Sequence, residues 1–195
     1  GGWALARELG EQMVRLAERN SDPLLQSEAH RALGVTQWLQ GEFDTAYAHF
    51  TQGIAAYDPQ HHTTYLRQTG QDPGVVCLGA SALALCCLGY VDQARQGLNQ
   101  ALSLAQTIAH PFVLTYTHFY ASLFHQFACE PTAVRQHAET IIALARQHEF
   151  TYYLGVGTVL RGWAQNQLEE HTAGIAEIQQ GMAIIQETGT VLFRH

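Results

Sequence analysis

Lysine is absent from this 195-residue chain, and all ten of its basic residues are arginines. Seventeen acidic residues outnumber them, which leaves a formal net charge of −7. A nucleic acid would be repelled on average, and no run of arginines compensates locally. A phosphate-binding Gly-x-x-x-x-Gly-Lys-Ser/Thr loop is excluded because it requires a lysine. We therefore predict that nucleic acid is not a partner.

The chain also has few charged residues and no long hydrophobic run. Charged residues make up 14% and hydrophobic residues 47%, a balance that argues against global disorder. The most apolar stretch, 75–88, is too short to span a bilayer, and no charged segment followed by an apolar core opens the chain. We expect no membrane partner, no signal peptide and a cytoplasmic location.

Four cysteines are too few and too poorly spaced for an oxidised framework. Cys86 and Cys87 are adjacent on a predicted helix, so their side chains point about a hundred degrees apart and cannot easily pair. Together with Cys77 and Cys129, they are interpreted as small packing residues.

Helical periodicity covers most of the chain, and no stretch alternates in the way typical of a strand. Stop signals such as Asn20-Ser21-Asp22-Pro23 and Gly41 separate the helices, and Asp44 is predicted to cap a helix that begins at Thr45. Residues 59–73 are predicted to form the one long connection. The predicted helices span residues 4–19, 24–40, 45–57, 74–88, 92–109, 112–128, 132–148, 152–168 and 172–188.

An internal repeat is the strongest pattern. Small residues align at Gly34, Ala82, Ser122 and Gly162, and again at Ala46, Ala94, Val134 and Gly174. Bulkier partners mostly follow at Phe50, Leu98, Ala138 and Ile178. In the second set the spacings are 48, 40 and 40 residues, and the connection at 59–73 explains the longer first one. Such periods are typical of stacked helical hairpins, each of which buries its apolar face against its neighbours.

The predicted fold is therefore all-α, a right-handed superhelix of hairpins (an α-solenoid) in a single domain over 1–195. It contains about four hairpins and a leading helix that would be the second helix of a hairpin. Residues 191–195 look like the opening of another helix, so we expect a piece of a longer protein. Apolar faces left open at the ends would favour self-association.

Small residues mark where the two helices of a hairpin approach most closely. Leucine in place of Gly34 or Ala82 would overpack the hairpin at a cost of roughly 1–3 kcal/mol.

Several motifs resemble the tetratricopeptide repeat, in a slightly long variety. They are His30-x-x-Leu33-Gly34, Gly41-Glu42-Phe43-Asp44-x-Ala46 and Leu88-Gly89-Tyr90-x-Asp92-Gln93-Ala94. The amino-acid sequences of segments 29–34, 52–59, 70–75 and 109–112 further resemble the C-terminal repeat regions of large bacterial signalling proteins. Those proteins join a class III nucleotide cyclase or a kinase domain to a signal-transduction ATPase, and their repeat arm is related in plan to the helical arm of MalT-like regulators. The resemblance implies a sensor or scaffold arm.

Histidines are the candidate metal ligands. His61 and His62 lie near Asp58 in the long connection, where a solvated loop explains them. His118 and His125 are seven residues apart on one helix, but His118 and His30 share a hairpin position, which favours packing or hydrogen bonding. We predict no metal site and no cofactor.

The candidate catalytic groups are explained more simply as turns between helices. Glu169-Glu170-His171 and Cys129-Glu130-Pro131 both fall at turns between helices and have no partner at a meaningful spacing. We predict that this chain is not an enzyme.

The resemblance implies that the first helix of each hairpin lines a concave groove. The groove positions counted from the small residues are Glu28, Arg31, Val35, Trp38, Val76, Gly79, Leu83, Cys86, Tyr116, Phe119, Leu123, Gln126, Val156, Val159, Trp163 and Asn166. The candidate binding residues among them are Glu28, Arg31, Trp38, Tyr116, Phe119, Gln126, Trp163 and Asn166, since Trp, Tyr and Arg supply most hot spots. The alternative is that Trp38, Phe119 and Trp163 are ordinary packing between repeats.

We expect a non-enzymatic scaffold that binds a protein or peptide, or other domains of its own parent chain. The alternative is an arm that senses a small effector and regulates an upstream cyclase, kinase or ATPase domain. On the scaffold hypothesis, Trp38→Ala or Arg31→Ala weakens partner binding and leaves helicity nearly intact.

Overall fold

A computed structural model describes residues 2–168 and 171–190, and all regular structure in these ranges is helical. A 3-10 turn at Pro59–His61 precedes the fourth helix. The helices are α1 (Gly2–Asn20), α2 (Pro23–Leu39), α3 (Phe43–Ala56), α4 (His62–Thr69), α5 (Pro73–Cys87), α6 (Val91–Ile108), α7 (Pro111–Phe127), α8 (Pro131–Gln147), α9 (Thr151–Gln167) and α10 (His171–Glu187).

Helix α4 lies within residues 59–73, which the sequence predicted only as one long connection between helices. Asp58 caps the 3-10 turn by accepting from the Gln60 amide at 2.9 Å, and Gly70 ends α4 in the left-handed region at φ 73°. Tyr65 is the only buried residue of this eight-residue helix. So short a helix with one buried side chain shows no clear apolar period, so the sequence did not predict it.

The prediction that Asp44 caps a helix beginning at Thr45 is wrong. Helix α3 begins at Phe43 with Glu42 in the cap position, and no side chain there bonds to a free amide. Asp44 lies inside the first turn, where its negative charge interacts favourably with the positive end of the helix dipole.

Two compact units divide the chain, Gly1–Ala109 and His110–His195. In the first, α1 packs on α2, α2 on α3, α3 on α5 and α5 on α6. In the second, α7 packs on α8, α8 on α9 and α9 on α10. Each unit is thus an all-α array of consecutively packed helices, as an α-solenoid requires. The prediction of a single repeat domain stays a prediction, because repeats contact only their neighbours and long arrays divide readily into clusters.

Each unit has its own buried apolar residues. In the second unit, a cluster of buried residues joins α8 to α9: Val134, Ala138, Ile141, Val156, Leu160 and Ala164. In the first, α5 is the most enclosed helix and carries no charged residue.

The close approaches inferred from small residues are confirmed in two hairpins. A Cβ added to Gly34 would lie 2.6 Å from the ring of Phe50 on α3. A Cβ added to Gly162 would lie 2.7 Å from the carbonyl oxygen of Gly174 on α10. Helices of these hairpins pack as closely as they do because no side chain intervenes.

Helix α1 buries Gly10 and Ala17, and Gly10 lies against Leu33 of α2. Leu5, Leu9 and Leu16 on the neighbouring face are each about half exposed. The prediction that α1 is the second helix of a hairpin stays a prediction, as does self-association through this apolar face.

Within 2–168 and 171–190, no single helix combines the length and apolar composition needed to cross a bilayer. Pro59–Thr69 and Pro73–Cys87 reach that composition only as a pair, with a 90° bend between them.

Candidate functional site

Predicted binding residues all lie on first helices of hairpins. Glu28, Arg31 and Trp38 lie on α2 in the first unit. In the second unit α7 and α9 carry the others: Tyr116, Phe119, Gln126, Trp163 and Asn166.

In the first unit, the segment 59–72, here called the insertion, holds Glu28 and Arg31. Thr69 donates its hydroxyl to Glu28 Oε1 at 2.9 Å, and Arg31 Nη1 donates to Gln71 Oε1 at 3.1 Å. Arg31 Nε also donates to Glu28 Oε2 at 2.7 Å. Glu28 is only 6% exposed. With the insertion in this position, both charged groups are used within the chain, which the sequence did not indicate.

A buried carboxylate anchors the end of the insertion. Asp72 is fully buried at the start of α5, where it accepts from the Val75 amide at 3.0 Å and from the Tyr57 hydroxyl at 2.9 Å. Burial raises the pKa of Asp72, and burial together with the nearby Asp72 carboxylate raises the pKa of Tyr57. Tyr57 also stacks on Tyr65 of α4, with ring centroids 5.5 Å apart. The Asp72-Pro73 dipeptide is the sequence signal for this cap.

Thr69→Val should loosen the insertion. The change removes the hydroxyl that bonds to Glu28 and keeps a β-branched side chain of similar size. We expect faster amide hydrogen exchange in 62–71 and little change in α2, measured by mass spectrometry. Thr63→Val is the matched control, since exposed Thr63 lies in the same helix and bonds only to neighbouring His62. Equal exchange in the two variants would show that the hydroxyl of Thr69 does not hold the insertion.

Trp38 and the preceding Gln37 each carry a buried polar atom without a partner in the described part of the chain. The indole Nε1 of Trp38 is buried with no hydrogen-bond partner among the described residues, and the same holds for Oε1 of Gln37. Phe43 tilts against the indole with ring centroids 6.4 Å apart. Trp38 itself is half-buried, so part of its ring remains accessible. Buried polar atoms without partners are uncommon in folded proteins.

In the second unit, the predicted aromatic residues also serve the packing. Phe119 and Trp163 both pack against the α8–α9 core cluster while remaining half-buried. The rings of Phe119 and Tyr153 pack edge to face with centroids 6.3 Å apart. Tyr116 is 1% exposed and lies edge-on to Phe112 at 5.6 Å. The packing alternative therefore describes Tyr116 best, whereas Phe119 and Trp163 combine packing with an open surface.

Gln126 and Asn166 supply the polar groups of this face. Both are half-buried, and each lies four residues after its aligned small residue, Ser122 or Gly162. The side-chain oxygen of Asn166 accepts from Nδ1 of His171 at 3.0 Å.

Charge is nearly absent from the later first helices. Among α5, α7 and α9, Arg161 is the only Asp, Glu, Lys or Arg residue. Its guanidinium donates twice to Glu177 of α10, at 2.8 and 2.7 Å. A bidentate pair of this kind fixes the arginine geometrically. The face offered by α7 and α9 is thus aromatic and amide-rich.

Histidines pair between the two helices of a hairpin, which goes beyond the packing or hydrogen bonding that the shared position of His30 and His118 predicted. Nδ1 of His30 lies 2.9 Å from Nδ1 of His49, and Nδ1 of His118 lies 2.8 Å from Nδ1 of His137. In 2–168 and 171–190 no group of three or more His, Cys, Asp or Glu residues is arranged to hold a metal ion. All four cysteines carry free thiols. Glu169 and Glu170, part of a predicted turn, lie outside the described residues, as does 191–195.

Comparison with known proteins adds one distant similarity. No family model matches the chain. An uncharacterized protein of Rhizobium meliloti (strain 1021) is 19% identical over 177 residues, which is 90% of this chain. The chain spans 17% of the length of that relative. The tetratricopeptide-like reading thus remains a resemblance in sequence motifs.

Proposed function

We propose that the chain is a non-enzymatic interaction scaffold, built as a right-handed superhelix of tetratricopeptide-like hairpins within a bacterial signalling protein. It binds a peptide or protein segment, from a separate partner or from its own parent chain, on the first helices of its hairpins. In the second unit, the docking face is defined by Phe119, Gln126, Trp163 and Asn166.

The observation that carries this proposal is the nearly uncharged, half-open face of α7 and α9. Aromatic side chains there are anchored against the core and so lose little freedom when a partner covers them. Amides of Gln126 and Asn166 lie on the same helices as those rings and offer hydrogen bonds to a peptide backbone. The depletion of charge is typical of the centre of a protein interface.

In the first unit, Trp38 is the residue best placed to contribute. Glu28 and Arg31 would contribute only if the insertion released them, because Thr69 and Gln71 occupy their polar groups. The earlier expectation for Arg31→Ala therefore depends on the state of the insertion, whereas the expectation for Trp38→Ala does not.

The alternative function is an effector-sensing arm. The buried indole Nε1 of Trp38 favours it, because a small ligand that gained access to this unpartnered donor and accepted its hydrogen bond would satisfy it. Thermal unfolding of the chain against a metabolite library separates the two functions. A shift of several degrees with one compound supports sensing, since only a ligand that prefers the folded state raises the midpoint.

Gln126→Ala should weaken peptide binding by about tenfold, the effect of losing roughly one good polar contact. The probe is a random 16-residue peptide library displayed on phage and selected on the immobilised chain, with enriched peptides measured by fluorescence anisotropy. Gln136→Ala is the matched control, because Gln136 is an exposed glutamine on the second helix of the same hairpin. We expect it to leave the affinity unchanged.

Phe119→Ala tests the aromatic part of the same face. We expect a larger loss, because aromatic side chains in interfaces contribute more than neutral polar ones. Peptides that bind equally well to the Gln126, Phe119 and Gln136 variants would contradict the location of the docking face. Failure of the library to yield any binder would count against the scaffold function itself.

A further inference from the structure

The two histidine pairs occupy equivalent places in different hairpins. Both members of each pair are separated by 19 residues, and the first pair precedes the second by 88 residues along the chain. His30 and His118 lie four residues before the aligned small residues of α2 and α7, and each pair joins the first helix to the second. The aligned positions in the other two hairpins hold Leu78 with Gly97 and Thr158 with Glu177, so the pairs distinguish two hairpins of four.

Proton stoichiometry limits such a pair. In the neutral pair one ring donates its Nδ1–H to the unprotonated Nδ1 of the other. A first proton can bind at Nε2 of the donor ring, and the hydrogen bond survives. A second proton must go to the accepting Nδ1, which ends the hydrogen bond and places two cations about 3 Å apart. The doubly protonated pair cannot keep the observed geometry.

We propose that these pairs are acid-sensitive latches that hold the hairpins α2–α3 and α7–α8 closed while the Nδ1–Nδ1 hydrogen bond is intact and loosen them when both rings of a pair are protonated. The proposal goes beyond the scaffold function and does not depend on it, since it concerns the folded chain without a partner. Throughout, "latch" means the pair His30–His49 or the pair His118–His137.

Carboxylates of α1 oppose the effect of burial on the pKa values of the first latch. Burial is the main cause that lowers the pKa of His30 and of His49. Glu18 and Glu11 of α1 oppose this effect on His30 and His49 respectively. Helix α5, which packs on α2 and α3, contributes no Asp, Glu, Lys or Arg residue.

In the second latch no carboxylate of the described residues opposes the effect of burial on the pKa values of His118 and His137. Burial lowers the pKa of His118, and burial together with His118 and His125 lowers the pKa of His137 to about 4. His125 stacks on His137 with centroids 5.2 Å apart, and its Nδ1 lies 2.6 Å from Glu130 Oε2. Arg135 and Glu139 flank His137 on α8, and Arg161 of neighbouring α9 is already paired with Glu177. We therefore expect the first latch to release at a higher pH than the second.

The sign of the effect follows from linkage. Since the folded chain holds these rings neutral more strongly than the unfolded chain does, their contribution to stability is complete above the unfolded pKa near 6.5. It is lost as pH falls below that value toward the folded pKa. Within that window, the unfolding equilibrium constant rises by up to about tenfold per pH unit for each such histidine.

The direct test is an NMR titration of the histidine ring Cε1–H signals of the 195-residue chain from pH 8 to pH 4, with a chelator present. We expect midpoints below 6.5 for His30, His49, His118 and His137, with the second latch lower than the first. Midpoints at or above 6.5 for all four, the ordinary histidine value, would overturn the proposal.

Asparagine variants test the link to stability. His137→Asn keeps a group that can donate or accept near the Nδ1 position and removes the titration. Its urea midpoint should fall less steeply than that of the unchanged chain between pH 6.5 and pH 4.5. His61→Asn is the matched control because His61 is exposed and outside both latches, and it should keep the steep dependence. If His137→Asn and His61→Asn show the same slope, the α7–α8 latch does not exist.

Discussion

Gly162→Ala should destabilise the last hairpin by about 1–2 kcal/mol, although alanine is the better helix former. The new Cβ would lie 2.7 Å from the carbonyl oxygen of Gly174 and 2.9 Å from the amide nitrogen of Ile178. Both are backbone atoms, so relief requires the helices to separate. Overpacking of this kind costs roughly 1–3 kcal/mol, which exceeds the 0.5–1 kcal/mol that alanine gains over glycine in a helix. Urea unfolding followed by circular dichroism measures the change.

Gly97→Ala is the matched control for this prediction. Gly97 is also inside a helix, but a Cβ there would meet nothing closer than 3.9 Å. We expect stabilisation by about 0.5–1 kcal/mol, the gain from lower backbone entropy in the unfolded chain. Opposite signs for the two glycines would locate the effect in helix contact. Stabilisation by both would show that α9 and α10 are not as close as the structure places them.

The second large effect is expected from Asp72→Ala, which should cost about 2–4 kcal/mol. It removes the cap of α5, worth about 0.5–2 kcal/mol, and leaves the Tyr57 hydroxyl without its acceptor, worth about 1–3 kcal/mol. Tyr57→Phe combined with Asp72→Ala should cost less than the sum of the two single changes, because the shared hydrogen bond is lost only once. Exact additivity would mean that the two side chains do not interact.

Asp22→Ala calibrates the capping part of that loss. Asp22 caps α2 by accepting from the Leu24 and Leu25 amides at 3.0 and 3.2 Å, and it is only half-buried. We expect a cost of about 1 kcal/mol. A loss as large as that of Asp72→Ala would show that burial and Tyr57 add nothing at Asp72.

Most of the secondary structure could be predicted from the sequence because apolar residues recur at helical spacing and stops separate the segments. Nine predicted helices match helices of the structure with boundaries within about two residues. Gly34 and Gly162 were recognised as close contacts because small residues recur at one position of each hairpin. Helix α4 was missed because it buries a single side chain and repeats nowhere else.

The candidate site could be predicted only in outline. The internal repeat placed Phe119 and Trp163 on first helices, and in the structure both lie half-buried against the core. It also placed Glu28 and Arg31 there, but could not show that Thr69 and Gln71 bind them. Those partners are about 40 residues away along the chain, and no local period relates them. Tyr116 likewise looked available until its burial was known.

By itself, the sequence determined the helical class, the repeat period, the negative charge and the place of close contact in the hairpins of Gly34 and Gly162, since these depend on residue type and local spacing. Only the tertiary structure decided which side chains remain reachable and which are used internally. It also showed that histidines 19 residues apart meet ring to ring across a hairpin. The physical reason is that burial and hydrogen bonding depend on distances in space, which segments far apart in sequence determine together.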